Sequence, residues 1–458
     1  MTWARELTRR TLLKDSAAGA LFAALGPDAV RATLAATRRR PGDWPMTARA
    51  IDARRWTDQA VDGLREQWRL HLPGGVPGTP ALVGGSVYAA SFGGDIVAAE
   101  LATGRERWRR SFPPAHYADA TTMVGSRTQG FFAGPAVAGT SVLVAYDRML
   151  ALDIATGATR WEAAPLRAAE SDDYFWGPPV IAGEMVIAGS GSGAEEAPTR
   201  GRVTAYDLSS GHKRWSTATV PPGGNGGGVI GPVTVDFGRG ELFAATGAPY
   251  TAVKGSNPGT SSLLVLDISN GAVIWQDQVH AADSSGLDLN SAPVLVGSRV
   301  FVTAKDGVYA WDRLARRRLW HTQLTPARTA PGVPAGSENG PEGGPIASDM
   351  QRVYALSNDT ARASFAAAAL DPATGKVIWQ RSLPGLVTAA PIVAAGIVYT
   401  ASITGLLHAL RADGGEPLGL ALLGEPSSCA PAAADGRLVV GTGAAPYLPG
   451  DSVICLGA

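Results

Sequence analysis

The 458-residue chain has few charged residues, and the charges that it has are balanced. Charged residues make up 17% of the sequence, below the usual quarter, and 40 basic residues stand against 40 acidic ones. A net charge of zero argues against nucleic acid or an anionic membrane surface as a partner. The composition therefore leaves small molecules, proteins and glycans as the classes of partner to consider.

The residue types and motifs of several common mechanisms are also scarce. Six histidines are scattered without metal-ligand spacing. The sequence has no Gly-x-Ser-x-Gly motif and no glycine-rich phosphate loop between a strand and a helix. It has no Cys-x-x-Cys-His motif for haem attachment, so a redox enzyme would need a separate electron acceptor. The sequence leaves a Ser–His–Asp triad assembled from distant loops as an open alternative.

No apolar run is long enough to span a membrane once the N-terminus is removed. Residues 8–14, Thr-Arg-Arg-Thr-Leu-Leu-Lys, match the twin-arginine export pattern, and the mildly apolar run 16–25 that follows is too short for a resident helix. A short basic helix is the plain alternative. We expect a signal peptide over 1–36, an extension over 37–63 and one folded domain over 64–458, in an exported protein that is periplasmic or extracellular.

A repeated phrase, Asp-x-x-x-Gly-x-x-x-Trp, dominates what the sequence does contain. Its copies begin at Asp153, Asp207, Asp267 and Asp371, with a near copy at Glu100. The copy at Asp312 keeps the final tryptophan and loses the glycine. Each phrase predicts a strand, a tight turn with glycine where φ is positive, and a strand led by tryptophan. Such a small unit has to stack on copies of itself, and the tryptophans are expected to pack between the copies.

The spacing of eight prolines gives an independent count of the repeats. Each proline opens a short apolar strand, and the prolines stand 40 to 61 residues apart, at positions 80, 135, 179, 232, 293, 345, 391 and 431. A four-stranded propeller blade needs about 40–45 residues. The sequence, with 57 glycines, therefore predicts an all-β, eight-bladed propeller of four-stranded antiparallel blades.

The last blade is expected to take its fourth strand from the N-terminal side. Only three strands follow Pro431, whereas residues 66–70 form a strand with no blade before it. That strand would close the ring and remove exposed sheet edges. Cys429 and Cys455 both fall in this blade. Two strand spacings, roughly 9–10 Å, would separate them and exceed disulfide reach, so a disulfide and two buried free thiols both stay open.

Most of the long loops between strands are predicted on one face of the propeller, which is the expected functional face.

The repeated phrase Ala-Leu-Asp-x-x-Thr-Gly-x-x-x-Trp resembles that of the quinoprotein alcohol dehydrogenase family, whose eight-bladed propellers bind pyrroloquinoline quinone (PQQ). Residues 43–46, Asp-Trp-Pro-Met, also resemble the opening of many members. The resemblance implies PQQ and calcium as cofactors, an alcohol as substrate, and a monomer. Non-catalytic assembly propellers of the bacterial envelope share the same repeat.

The family's calcium ligands can be matched by position. A Ser-Gly-Ala-Glu phrase in the third blade gives Glu195 or Glu196 as the first ligand. The family's Thr-Gly-Asn phrase reads Thr-Gly-Ala here, so Ala248 stands where a ligand is expected. Asp288 matches the essential aspartate, which would take the alcohol proton and contact the metal. Taken singly, the glutamates also fit a solvated loop, and Asp288 fits a turn cap.

The residues that contact the quinone in the family are matched only in part. Lys305 precedes Asp-Gly and would stabilise charge on the quinone oxygen, although it also fits a hairpin turn. The resemblance also implies Asn290, in the Asp288 phrase, as a further cofactor contact. The family's stacking tryptophan is replaced by Val229 or Ile230, and Trp176 is the candidate substitute.

Two functions are therefore expected. The first is an exported quinoprotein-type oxidoreductase that oxidises an alcohol with PQQ and calcium and passes electrons to a separate acceptor. The alternative is a non-catalytic PQQ-like propeller that binds a protein or a glycan in the cell envelope. The loop phrases favour the first, whereas the loss of a ligand at Ala248 favours the second.

Overall fold

A computed structural model describes most of the chain from residue 42 onward. The described ranges are 42–113, 115–116, 128–166, 173–192, 199–249, 257–280, 288–289, 291–304, 306–325, 346–443 and 448–458. The predicted signal peptide lies outside the described residues. Within them, no helix is long and apolar enough to cross a membrane.

The chain forms eight antiparallel blades of four strands around a central axis, which confirms the predicted propeller. The strands of blades 1–4, from the inner to the outer, are Ala81–Val83, Ser86–Ala90, Asp95–Glu100 and Glu106–Ser111; Ala136–Ala138, Ser141–Ala145, Met149–Asp153 and Thr159–Glu162; Val180–Ala182, Met185–Ser192, Arg202–Asp207 and Lys213–Ala218; Thr234–Asp236, Glu241–Ala245, Ser262–Asp267 and Val273–Gln278.

Blades 5–8 follow the same order, except that the outer strand of blade 8 comes from the N-terminal side. Their strands are Val294–Val296, Arg299–Ala304, Gly307–Asp312 and Arg317–Thr322; Ala347–Ser348, Val353–Asp359, Ser364–Leu370 and Val377–Pro384; Ile392–Ala394, Ile397–Ala401, Leu406–Arg411 and Pro417–Leu422; Ala432–Ala434, Arg437–Gly441, Ser452–Gly457 and Arg65–His71. The remaining elements are the strands Trp56–Thr57, Ala115–His116, Thr128–Gln129 and Asp173–Tyr174 and the 3-10 turn Thr360–Arg362.

The ring closes as predicted. Arg65–His71 pairs antiparallel with Ser452–Gly457, and Trp68 lies opposite Cys455. Both cysteines are buried free thiols, so the disulfide alternative is not realised. Burial raises the pKa of the Cys429 thiol to about 12, which keeps it protonated and unreactive at neutral pH.

The repeated phrase works as a docking device between neighbouring blades. In blade 3, Asp207 accepts hydrogen bonds from the turn amides, and Gly211 has a φ of 72°. A Cβ on Gly211 would lie 2.4 Å from the ring of Trp161 in blade 2, and the Trp161 indole donates to the Leu208 carbonyl at 3.0 Å. The glycine is thus required twice, by its φ and by the neighbouring ring.

The same docking recurs around the ring. Five further tryptophan indoles donate to a backbone carbonyl of the next blade: Trp68 to Leu101, Trp108 to Ile154, Trp215 to Ile268, Trp320 to Pro372 and Trp379 to Ala412. Blade 5 departs from the pattern. Arg316 occupies the glycine position there with a φ of 51°, and no such bond is described for Trp275 of blade 4. The tryptophans therefore pack between blades, as predicted.

The segment before the first blade is part of the propeller, which the sequence did not indicate. Residues 42–62, here called the belt, run around the axis inside the inner strands at the end where the first and second strands of each blade meet. Main-chain hydrogen bonds join the belt to seven blades through Leu82, Val137, Val235, Leu295, Ser348, Val393 and Gly436. The belt therefore lies on the face opposite the long loops.

Candidate functional site

The rim of the loop-bearing face is a hydrogen-bonded arc between blades 3 and 5. The Val229 amide donates to the Ser190 carbonyl at 3.2 Å, and the Gly247 amide donates to the Gly228 carbonyl at 2.8 Å. The Leu289 amide donates to a carbonyl of the blade 4 loop at 3.3 Å. Main-chain bonds thus join four successive loop segments, which gives the side chains between them fixed positions.

Asp288 and Ala248 are brought together at this rim. The backbone N–H of Ala248 donates a short hydrogen bond to Oδ1 of Asp288. Ala248 is buried and Asp288 is half-buried. A side chain at position 248 therefore starts directly beside a carboxylate. An asparagine there could add an oxygen to the same site, whereas the alanine methyl cannot.

The other predicted site residues divide into two groups. Glu195, Asn290 and Lys305 lie outside the described residues, as does Glu196. Trp176 is described and half-buried, and its ring makes edge-to-face contacts with Phe132 and Tyr174 at centroid distances of 4.9 and 4.7 Å. It therefore belongs to an aromatic cluster in the blade 2–3 part of the rim.

The position of the family's stacking tryptophan is occupied by aliphatic residues with different roles. Val229 is 1% exposed and packs in the core, whereas Ile230 is 37% exposed. Ile230 is thus the aliphatic side chain that this loop presents to solvent. It offers apolar contact area but no aromatic face for a quinone ring.

A polar cluster on blades 4 and 5 was missed by the sequence reasoning. Asp306 accepts a hydrogen bond from the Tyr309 hydroxyl at 2.7 Å, and Nε2 of His280 lies 3.2 Å from its carboxylate. His321 stacks on Tyr309 at a centroid distance of 4.1 Å. Burial alone would raise the pKa of Asp306, but bonds and charges from His280, Tyr309 and His321 outweigh it and lower that pKa. The histidines are 41 residues apart and carried no motif.

The fit to a calcium–quinone group is partial within the described residues. Calcium takes six to eight oxygen ligands, including carboxylates. Asp288 offers one carboxylate at the rim, and the described part of the chain holds no group of three or more His, Cys, Asp or Glu side chains arranged around a metal site. Glu195 would have to supply the second carboxylate.

The fold and the rim define an eight-bladed PQQ-like propeller with its candidate site on the long-loop face. A family model, PQQ_2, described as "Outer membrane protein assembly factor BamB", matches residues 121–362 and 363–455. The chain therefore belongs to the PQQ_2 family.

Curated relatives include quinohemoprotein and polymer-oxidising dehydrogenases. The quinohemoprotein alcohol dehydrogenase ADH-IIG of Pseudomonas putida is 28% identical over 347 residues, which cover 70% of this chain and 44% of that protein. The polyvinylalcohol dehydrogenase of Sphingopyxis sp. (strain 113P3) is 24% identical over 385 residues, covering 70% and 55%. The chain thus spans about half the length of these relatives.

Solved structures support the fold. The solved structure of the quinohemoprotein alcohol dehydrogenase ADHIIG from Pseudomonas putida HK5 superposes with a TM-score of 0.76 at 19% identity, covering 94% of this chain and 82% of that one. BamB from Moraxella catarrhalis superposes with a TM-score of 0.57 at 16% identity, covering 86% and 98%. Likeness at such identities establishes the propeller alone.

Proposed function

We propose that the chain is an exported quinoprotein-type oxidoreductase that oxidises an alcohol at the mouth of the long-loop face. The observation that carries the proposal is the contact between Asp288 and Ala248. It supports the proposal because these two positions match, by sequence, the family's essential aspartate and one of its calcium ligands. The relatives named as alcohol dehydrogenases support the same class of reaction.

Each candidate residue has one role in this proposal. A bound quinone would accept the hydride of the alcohol, with calcium as a Lewis acid at its carbonyl. Asp288 would accept the hydroxyl proton, because its carboxylate lies at the rim where the substrate enters. Lys305 would stabilise negative charge at the quinone position, and Glu195 would complete the carboxylate ligands with Asp288. Trp176 and Asn290 would line the cofactor pocket.

Two observations favour a second candidate, a propeller that binds a protein or a glycan in the cell envelope. Position 248 has no side-chain oxygen, and Ile230 presents an exposed aliphatic side chain where the family has a tryptophan. The matching family model is itself described as an outer membrane assembly factor. Under this reading, Asp288 is a turn cap that holds two loops together.

A thermal-shift titration of the protein with PQQ, with and without calcium, separates the two. A ligand at about 100 times its Kd stabilises the native state by roughly 2.7 kcal/mol. We expect a calcium-dependent shift that Asp288→Ala abolishes. Asp288→Asn is the matched control, since its amide oxygen keeps an acceptor for the Ala248 N–H and loses only the charge.

The variant Ala248→Asn tests the same site by gain of function. It restores an amide oxygen beside Asp288 and should strengthen calcium binding if the metal occupies this rim. A protein that shows no shift with high-micromolar PQQ, as wild type and as Ala248→Asn, is not a quinoprotein. The binding-propeller function would then stand, and its partner would be sought by pull-down.

A further inference from the structure

The outer strand of blade 7 differs in charge from the outer strands of the other blades. Pro417–Leu422 has no charged residue, whereas each of the other seven outer strands has at least one. In the described part of the chain, this strand pairs with Leu406–Arg411 on one side and with no strand on the other. Charged side chains on an edge strand hinder its pairing with another chain. Blade 7 therefore has an outer edge without this protection.

The same strand exposes a row of leucines. Gly419 stands where the repeated phrase has its tryptophan and faces blade 8, since a Cβ there would lie 3.3 Å from Cδ1 of Leu64. Ala421 is 6% exposed. Because side chains alternate along a strand, the leucines next to Ala421 lie on the opposite face. The exposed fractions are 44% for Leu418, 52% for Leu420 and 75% for Leu422.

The fold does not require leucine at the centre of this row. Each of the other seven blades has a polar residue at the position that matches Leu420, two residues after the start of the tryptophan position. In blades 1–6 and 8 these residues are Arg109, Glu162, Ser216, Gln276, His321, Gln380 and Arg69. An exposed leucine at this position therefore serves something other than the packing of the blade.

The main-chain groups of the exposed leucines point to the free edge. The Leu423 amide donates inward, to the Gly405 carbonyl at 2.8 Å. Along an antiparallel strand, the N–H and C=O groups of successive residues point alternately to its two sides. Leu420 therefore directs its N–H and C=O outward, and so does Leu422. The outward main-chain groups and the exposed apolar side chains belong to the same residues.

We propose that this edge pairs antiparallel with the same edge of a second copy of the chain, around a two-fold axis at Leu420. A ladder forms only when outward groups lie opposite outward groups, and such a register also places leucines opposite leucines. In the central register, Leu420 lies opposite the partner's Leu420, and Leu422 lies opposite the partner's Leu418. Glu416 then lies opposite the partner's Gly424, so no like charges meet.

A second copy fits this edge because the edge is complementary to itself. Uncharged strand meets uncharged strand, cross-strand leucine pairs cover apolar surface, and a chain of zero net charge does not repel its copy. A standard interface takes about 20–30 residues a side, far more than this strand offers, so we expect a reversible dimer with a Kd between roughly 1 µM and 1 mM. This dimer replaces the monomer that the family resemblance implies, and it does not depend on the oxidoreductase proposal.

The first test is sedimentation velocity of the purified protein over that range of concentration, as wild type, Leu420→Lys and Ile274→Lys. Ile274 is the matched control, because it is 38% exposed on the outer strand of blade 4, which Asp277 already protects. We expect wild type and Ile274→Lys to dimerise with rising concentration and Leu420→Lys to stay monomeric. Melting temperatures show that each variant is folded.

Two outcomes of sedimentation overturn the proposal. One is a wild-type protein that stays monomeric over the whole range, which leaves the edge to another occupant such as an extended peptide. The other is equal dimerisation of wild type and Leu420→Lys, which places the interface elsewhere on the molecule.

The second test is cross-linking of Leu420→Cys. Directly opposed residues whose main-chain groups bond each other have Cα atoms about 5.5 Å apart, within disulfide reach. The native Cys429 and Cys455 are buried free thiols, so they do not compete. We expect mild oxidation to give a disulfide-linked dimer of Leu420→Cys and not of Ile274→Cys. Equal yields from the two variants overturn the pairing of these strands.

Discussion

Replacement of Gly211 by alanine should weaken the joint between blades 2 and 3 through two separable effects. The first is backbone strain. Gly211 has a φ of 72°, a conformation that costs an L-residue about 1–2 kcal/mol. Gly139 has a φ of 54° and nothing within 4 Å of its virtual Cβ. Gly139→Ala therefore measures the strain alone.

The second effect is the collision with the neighbouring blade. The new Cβ would lie 2.4 Å from the Trp161 ring, so the ring or the turn has to move. Overpacking of this kind costs about 1–3 kcal/mol, and displacement of the ring endangers the indole bond to Leu208, worth about 1 kcal/mol. Gly211→Ala should thus lose roughly 2–5 kcal/mol, and Gly139→Ala about 1–2 kcal/mol.

Urea unfolding followed by tryptophan fluorescence measures both variants, with the shift in midpoint converted at an unchanged m-value. A double-mutant cycle then isolates the collision. In a Trp161→Ala background the ring is absent, so Gly211→Ala should cost no more than Gly139→Ala, and the coupling energy should be at least about 1 kcal/mol. Equal costs for Gly211→Ala and Gly139→Ala in the wild-type background would refute the docking role of the glycine.

Three further outcomes are expected. Arg316→Gly should stabilise the protein by no more than about 1 kcal/mol in urea unfolding, because relief of a positive φ, about 1–2 kcal/mol, is partly offset by loss of the 3.5 Å ion pair with the buried Glu241, which keeps Arg239 at 3.1 Å; a loss of stability contradicts this. Asp306→Asn should destabilise at neutral pH. Because the pKa of Asp306 is lowered in the folded state, its ionised carboxylate contributes its full stabilisation above the unfolded-state pKa of about 3.9. That stabilisation is lost as the pH falls through the folded-state pKa, so the difference in stability between Asp306→Asn and wild type should shrink on acidification. A difference that stays constant with pH contradicts this. Trp68→Ala should cost about 3 kcal/mol and speed amide exchange in residues 65–71, which reports the opening of the ring, whereas unchanged exchange contradicts closure by this strand.

The blades could be predicted from sequence because their determinants are local and repeated. The glycine of each phrase is demanded by its own φ, and the prolines mark the inner strands, so one unit shows the rule for the others. Arg316 shows the limit of that logic. It adopts the turn without glycine, and no indole bond to this turn is described, whereas six other joints between blades have one. In blade 5, the repeats on either side predicted the fold even though the turn glycine was absent.

The belt escaped prediction because its bonds depend on main-chain atoms. The carbonyls of Pro45, Ile51 and Asp52 accept from the inner strands of blades 2, 4 and 5, and any residue type can supply a carbonyl. Arg49 and Arg55 adopt positive φ values of 64° and 54°, which neither residue type indicates.

The sequence register named Ala248 and Asp288 as two positions of the candidate site but not the bond between them. They are 40 residues apart, and the hydrogen bond from the Ala248 N–H to Asp288 arises from the tertiary structure. The cluster around Asp306 gave no such signal. Its histidines come from the end of one blade and the outer strand of the next, and scattered histidines carry no spacing.

The choice between the two functions rests on a side chain rather than on the fold. The bond between the two rim loops uses the main-chain N–H of Ala248, so any residue at that position can keep it. An asparagine at position 248 would add an oxygen beside the Asp288 carboxylate, whereas alanine adds none. A divalent cation needs several oxygens. If calcium binds here in wild type, Glu195 has to supply what position 248 lacks, and Glu195→Gln should weaken binding more in wild type than in Ala248→Asn. Equal losses in both backgrounds would mean that the two positions do not serve one metal.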